Sequence, residues 1–247
     1  MVYLVGAGPG ASDLLTVRAA RLLTEADIVF HDALVPQAIL SLASRAEKIA
    51  VGKRCGRRST AQQFINKRLV DAARTHRVVV RLKGGDPMLF GRAQEEIGFL
   101  RSHGIAVVIV PGVTAALAAS ADLGISLTQR GLARSVAFVT PRIGAGEDAS
   151  SWVAAVLAAD TAAIYMGAGD ALAISQALIG AGKPASTPVA LVENASLELC
   201  TVFGSLEALP ALAAQLSGGP VLIFLGEVFS DAAAATRQAL PRRSLAR

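Results

Sequence analysis

Aromatic side chains are scarce in this sequence: Phe, Tyr and Trp make up 4% of 247 residues. The interior must therefore be filled by aliphatic side chains, which supply most of a 53% hydrophobic content. Interiors of that kind are typical of parallel sheets, whose strands are buried on both faces and read as Val/Ile/Leu runs. Charge is sparse too, at 17%, and a chain so apolar is not expected to be disordered except at its ends. The two cysteines, Cys55 and Cys200, form no CxxC; isolated thiols suit a reducing compartment and exclude a disulfide framework. The histidines, His31, His76 and His103, lack ligand spacing, so no metal site is expected. Long apolar runs are missing as well. The longest uncharged stretch, Gly104 to Ala121, is broken by Pro111-Gly112 into a strand and a helix, so no membrane span is expected. No charged leader precedes the strand-like Val2-Tyr3-Leu4-Val5, which argues against a signal peptide and for the cytoplasm. The net charge of +5 favours an anionic ligand. The basic residues are scattered, with no basic helix interleaved with aromatics, so nucleic acid is not the expected partner.

What is present is alternation. Short apolar runs at 2–6, 27–31, 48–51, 77–82, 106–110, 135–140, 161–166, 187–192, 198–203 and 220–225 read as strands. Between most of them lie amphipathic helical patterns. Ala61, Ile65, Leu69 and Ala72 form one stripe, with Thr60 and Gln63 as a capping box; Ala93, Ile97 and Leu100 form another. Alternation of this kind predicts an α/β fold with mostly parallel sheets. About ten strands are better divided between two sheets than held in one. The expected seam lies near 111–130, giving an N-terminal domain at 1–116, a C-terminal domain at 117–240 and a polar tail at 241–247. Ser186 to Gly204 reads as an antiparallel hairpin turning at Glu193-Asn194.

Three glycine-bearing loops come after predicted strands. In Val5-Gly6-Ala7-Gly8-Pro9-Gly10 the glycines permit a sharp turn and close approach of a ligand. With a helix expected from Leu14, the loop would sit at a helix N-terminus that favours anions. A plain strand–helix turn and a dinucleotide fingerprint are both open here. Gly6-x-Gly8-x-x-Ala11 has the right form, and Asp32 comes at about the ribose-binding distance. Pro9, however, removes a donor that a pyrophosphate cradle would use. The second loop, Lys83-Gly84-Gly85-Asp86-Pro87, places Asp86 at the carboxyl end of a central strand, where open α/β sheets bind ligands. Its carboxylate suits ribose hydroxyls or the amino group of a zwitterion; alternatively, Asp-Pro simply starts a turn. Arg92 and Glu95 then share one face at a helix start, either as an exposed pair or as positioned charges. The third loop, Val110-Pro111-Gly112-Val113-Thr114-Ala115-Ala116, leads into an alanine-rich helix whose small residues would admit a flat ligand.

Taken in order, Val2–Gly10, His31-Asp32-Ala33-Leu34-Val35, Val51-Gly52-Lys53-Arg54, Val80–Arg92, Pro111–Ala115, Ile164-Tyr165-Met166-Gly167 and Pro188–Asn194 resemble the tetrapyrrole methylase family. The match is best to its uroporphyrinogen-III C-methyltransferase branch and covers nearly the whole chain. The resemblance implies two α/β domains meeting in a deep cleft, usually in a homodimer. It implies S-adenosyl-L-methionine as methyl donor, leaving as S-adenosyl-L-homocysteine, and uroporphyrinogen III as the small-molecule substrate that receives two methyl groups. By motif match, the cofactor contacts fall on Pro9, Gly84, Gly85, Asp86, Leu89, Thr114, Ala115, Met166 and Ala195. Asp32 and Lys53 match a proton acceptor and donor, while Arg92, Glu95 and Met166 match residues that handle substrate. Three departures stand out. Ala195 replaces a glycine, Thr140-Pro141-Arg142 replaces Thr-Gly-His, and Ala11-Ser12-Asp13 replaces Asp-Pro-Glu. A left-handed backbone at 195 would cost alanine about 1 kcal/mol or more.

The implied chemistry needs alignment more than covalent help, because a sulfonium methyl is already electrophilic. Holding both reactants in place can remove roughly 7–11 kcal/mol of barrier. A proton must also leave the macrocycle, which requires a general base; Asp32, Glu95 and Arg92 are the candidates. Lys53, Arg54, Arg57 and Arg58 form a basic run that either receives substrate carboxylates or is a solvated loop.

Overall fold

The computed structural model describes residues 1–51, 58–143 and 151–239. Lys53, Arg54, Cys55, Arg57 and the 241–247 tail lie outside the described residues, as do the side chains of Arg58 and of Thr60, the expected cap. The chain forms two compact units, Met1–Ala118 and Ala119–Arg247.

The first unit is built on strands β1 (Val2–Gly6), β2 (Ile28–His31), β3 (Glu47–Ala50), β4 (Val79–Lys83) and β5 (Val107–Val110). They form one sheet in the order β3-β2-β4-β1-β5, with every pairing parallel. The connecting helices are α1 (Val17–Glu25), α2 (Gln37–Leu40), α3 (Arg58–Thr75) and α4 (Ala93–Ser102). Strand alternation sends Val5, Val29, Val80 and Leu82 to one core with Leu22 and Leu23 of α1 and Ile39 of α2. It sends Leu4, Phe30 and Val79 to another, with Ile65 and Leu69 of α3 and Ala93, Ile97 and Leu100 of α4. Each large aliphatic buried this way contributes about 1.5–3 kcal/mol. Helix α3 starts at Arg58, ahead of the predicted cap, while α1 starts at Val17, later than the Leu14 expected from sequence. The Thr16 hydroxyl caps α1 by accepting from the Ala19 amide at 3.2 Å. Helix α5 (Ala115–Leu123) carries the chain toward the second unit.

The second unit contains β6 (Val136–Val139), α6 (Trp152–Ala158), β7 (Thr161–Tyr165), α7 (Ala171–Gly180), β8 (Pro188–Glu193), β9 (Cys200–Ser205), α8 (Leu209–Ala213), β10 (Val221–Gly226) and α9 (Ser230–Ala239). The strand order is β6-β7-β10-β8-β9. The β8–β9 hairpin forms as expected. This sheet is mixed: β6–β7 is parallel, whereas β7–β10 and β10–β8 are antiparallel. The reversal comes from the route of the chain, which reaches β10 by way of the hairpin and short α8. Both sheets use one device at their entry. Asp27, before β2, accepts from the Arg77 and Val78 amides ahead of β4; Asp160, before β7, accepts from the Arg134 and Ser135 amides ahead of β6.

At the carboxyl edge of the first sheet, loops touch backbone to backbone. A Cβ on Gly6 would lie 2.6 Å from the Gly112 amide nitrogen and 2.7 Å from the Gly85 carbonyl oxygen, and one on Gly112 would overlap that same oxygen. Gly112→Ala is expected to lower stability by about 1–3 kcal/mol, the usual range for overpacking. Urea denaturation would measure it, and a wild-type midpoint would show that the loops can separate without cost.

Candidate functional site

The β4–β1–β5 order brings the second, first and third glycine loops side by side. The Ala7 amide donates to the Lys83 carbonyl at 2.7 Å. Gly8 and Gly85 form a two-way bridge, with donor–acceptor distances of 3.2 and 2.7 Å. Asp86 joins the third loop to this pair. Its Oδ2 accepts from the Gly112 amide at 2.9 Å, and its Oδ1 accepts from the Met88 amide at 2.8 Å. The turn-starting role of Asp-Pro is therefore real, with a cross-loop clasp added to it. The carboxylate stays half-exposed, and each oxygen retains a lone pair for a ligand. Around it lie exposed Gly84 and half-buried Pro9, Gly85, Leu89, Thr114 and Ala115.

The first loop does not open directly onto its helix. Ser12–Leu14 forms a short 3-10 turn, and α1 begins only at Val17. The expectation of an anion site at a helix N-terminus beginning at Leu14 is thus corrected. The Gly8 amide is bonded to Gly85, Pro9 has no amide proton, and the helix starts six residues past Ala11. A dinucleotide fingerprint needs its pyrophosphate on the helix start, so that reading loses its structural basis.

Arg92 and Glu95 meet as a fork. Arg92 Nε donates to Glu95 Oε1 at 2.7 Å, and Nη2 donates to Oε2 at 2.6 Å, with both side chains about half exposed. The Arg92 hydrogen bond holds the Glu95 carboxyl below its ordinary value. Asp32 comes directly after β2 and is bound by Arg81, whose Nη2 lies 2.5 Å from Oδ1. Sequence reasoning passed over the grouping of Arg81, Lys83 and Glu96, which form a buried charge cluster against Asp32. The signal was there: two cations alternate inside an apolar strand, and Glu96 falls beside the buried α4 stripe. Lys53, the expected proton donor, lies outside the described residues.

In the second unit Met166 comes directly after β7 and is 44% exposed, while Ala195 is buried in the turn after β8. Among the described residues, the non-glycine residues with left-handed backbone are Phe90, Arg92, Met166, Asn194 and Ser196. All lie in, or within two residues of, the motif segments. Left-handed non-glycine residues cost free energy and cluster where function over-determines the backbone. Ala195 itself is not among them; its neighbours take the turn, so the exchange of glycine for alanine carries no left-handed penalty here. Thr140 Oγ1 accepts from the Arg142 amide at 3.2 Å, so Thr140-Pro141-Arg142 makes its own local turn. Behind Asn194, the buried Glu193 carboxylate accepts from the Ser217 amide at 3.0 Å, from the Ser217 hydroxyl at 2.8 Å and from the Gly219 amide. The Ser217 amide does most to hold this carboxyl below its ordinary value.

Among the described residues no cluster of His, Cys, Asp or Glu could hold a metal, and no helix is long and apolar enough to cross a membrane.

The family Tetrapyrrole (Corrin/Porphyrin) Methylases matches residues 1–210. Siroheme synthase from Chromobacterium violaceum is 48% identical over 230 residues, which is 92% of this chain and 49% of that protein. Siroheme synthase from Pseudomonas putida is 49% identical over 92% of this chain and 50% of its own length. The chain thus spans about half the length of these relatives. Uroporphyrin-III C-methyltransferase from Thermus thermophilus, solved with S-adenyl homocysteine, superposes with a TM-score of 0.81 at 40% identity, over 93% of this chain and 99% of that one. A cobalt precorrin-4 methyltransferase superposes with a TM-score of 0.79 at 26% identity, over 92% and 95%.

Two measurements probe the site's framework. Asp86→Asn leaves one acceptor oxygen where the Gly112 and Met88 amides now use two; it should lower stability by about 1–3 kcal/mol and loosen cofactor binding. Unchanged stability with lost binding would make Asp86 a ligand alone. Glu193 has a depressed pKa, so its contribution is full above its ordinary value of 4.5 and fades as pH falls through the lowered one. Glu193→Gln should therefore melt earlier than wild type at pH 7, with the gap closing below about pH 4. A gap that persists into strong acid would mean the carboxylate's charge is not what holds this loop.

Proposed function

The chain belongs to the tetrapyrrole (corrin/porphyrin) methylases, and from that premise we propose that it uses S-adenosyl-L-methionine to methylate uroporphyrinogen III twice. The product would be precorrin-2, formed by way of precorrin-1. The observation that carries this reading is the fastening of the Gly84-Gly85-Asp86 loop to the first and third glycine loops, within a chain 40% identical over nearly its full length to a uroporphyrin-III C-methyltransferase. Against a related precorrin methyltransferase stands the lower 26% identity to one such enzyme, the cobalt precorrin-4 methyltransferase.

The residues fit the cofactor's chemistry. Exposed Gly84 leaves its backbone uncovered, Asp86 offers acceptor lone pairs to hydroxyl or ammonium groups, and Thr114 and Ala115 start a helix with small side chains. Pro9 and Leu89 offer apolar contact from the flanking turns, and Met166 and Ala195 carry the match in the second unit. When bound, the sulfonium supplies an activated methyl group. The protein's own tasks are then to orient the macrocycle, to hold its carboxylates and to accept a proton. In this reading Asp32 takes the proton, Lys53 returns one, and the Arg92–Glu95 fork engages substrate. The siroheme synthase relatives support a product that serves siroheme; family resemblance supports a homodimer, and the two isolated cysteines support a reducing, cytoplasmic setting.

The test is anaerobic incubation of the purified chain with S-adenosyl-L-methionine and uroporphyrinogen III, with the products read by mass spectrometry. We expect successive gains of one and two methyl units. A chain that binds NAD but not S-adenosyl-L-methionine by calorimetry, and leaves the macrocycle unmethylated, would overturn the proposal.

A further inference from the structure

Strand β4 buries two cations. The Arg81 and Lys83 side chains are 3% and 6% exposed, and both end on Oε1 of Glu96, which is fully buried. Arg81 Nε lies 3.2 Å from that oxygen and Lys83 Nζ lies 3.1 Å away. From α3, Gln62 donates to the same oxygen at 3.1 Å and to Asn66 at 3.0 Å. Arg81 Nη1 donates to the Leu82 carbonyl at 3.1 Å, which leaves Nη2 to reach Asp32. The guanidinium is therefore stretched between a sealed carboxylate and one that is 34% exposed. Buried ion pairs are weak sources of stability, because desolvation offsets their attraction. A chain of four charges running from the core to one half-open carboxylate suits orientation better than it suits stability.

We propose that Glu96 and Arg81 are positioning residues for proton transfer: Glu96 anchors the guanidinium, Arg81 holds Asp32 through Oδ1, and Oδ2 is presented as the proton-accepting oxygen. This rests on the reading of Asp32 as the base. Among the described residues no donor reaches Oδ2 of Asp32. The charges balance, two cations against two carboxylates. Arg81 sets a cation against Asp32 Oδ1, and Glu96 lies against both Arg81 and Lys83. Burial pushes the Lys83 ammonium below its ordinary value, with Arg81 adding to the effect and Glu96 opposing it. The other titratable or charged groups on these elements are His31, whose Nδ1 lies 3.1 Å from the Asp32 carbonyl, and the Arg92–Glu95 fork at the start of α4.

The experiment is the pH profile of kcat for methylation of uroporphyrinogen III by the full chain. Wild type, Asp32→Asn, Glu96→Gln, Arg81→Gln and the double variant Arg81→Gln/Glu96→Gln are compared, with S-adenosyl-L-methionine binding and melting monitored in parallel. Glu96→Gln leaves two cations facing Asp32, so the acidic limb should move to lower pH by about one unit and the plateau should fall roughly tenfold. Arg81→Gln removes the nearer cation, so the limb should move to higher pH by about as much. The double variant restores the net charge but leaves buried Lys83 without its carboxylate, so it should stay below wild type in melting temperature and should not regain kcat. A purely structural cluster would not move the limb in opposite directions. If both single variants bind the cofactor and keep the wild-type profile, or if the refolded double variant turns over at the wild-type rate, the inference fails. A wild type that methylates nothing would instead sink the proposed function. An active wild type with an unaffected Asp32→Asn would remove the base on which the inference rests.

Discussion

Gly6 and Gly112 have no side chains, so the loops after β1, β4 and β5 can meet at the level of their backbones. That contact constrains the rest of the carboxyl edge of the first sheet. It seats the Gly8–Gly85 bridge, and the bridge fixes where Asp86 begins its turn. Asp86 then spans to Gly112, so the start of the third loop is tied to the second by a charge-assisted hydrogen bond. A parallel sheet brings strand ends together at one edge, but it does not join the loops that leave them. Here the joining is done by two absent side chains and one carboxylate.

The same strand that enters the second loop carries Arg81 and Lys83 into a mostly apolar core. Both faces of a doubly covered sheet are dry, so neither cation can reach water along the strand. Glu96 answers them from α4 and Gln62 from α3, and this ties the two helices on that face to the sheet by polar contacts as well as by packing. Removing one partner would leave a buried charge uncompensated, which costs far more than the intact cluster contributes. The position of α4, and with it the Arg92–Glu95 fork at its start, is thus coupled to the charge on β4.

Much of this was legible in the sequence. Among the described residues each of the ten strands overlaps the apolar run predicted for it, and most of them are written as Val/Ile/Leu/Ala runs bounded by Gly, Pro or charge. The Ala93, Ile97 and Leu100 stripe packs as its spacing requires. Helix α1 begins later than its pattern suggested because Ser12–Leu14 forms a separate turn and Thr16 offers a better cap. The antiparallel entry of β10 was not legible, since strand direction depends on the route between elements rather than on composition. The Asp86 clasp was hidden for a similar reason. Its partner is a backbone amide 26 positions away, and no side chain announces it. Lys53 lies in a segment outside the described residues, so the motif alone speaks for it.

The turn after β8 shows how a motif can lose its glycine and keep its shape. Asn194 and Ser196 take left-handed conformations on either side of Ala195. Asparagine tolerates that region well, because its short amide can bond locally; serine tolerates it less. The surroundings supply the difference. The Ser196 amide donates to Asp122 Oδ2 at 2.6 Å, and Glu193 pins the 217–219 segment behind Asn194. Held at both ends, the turn places its strain on residues that are anchored and leaves position 195 in a region open to alanine. A small side chain is still required there, because Ala195 is 9% exposed and a larger residue would have to displace its neighbours. What this turn demands at 195 is therefore size rather than backbone freedom, and the freedom has moved to the flanking positions.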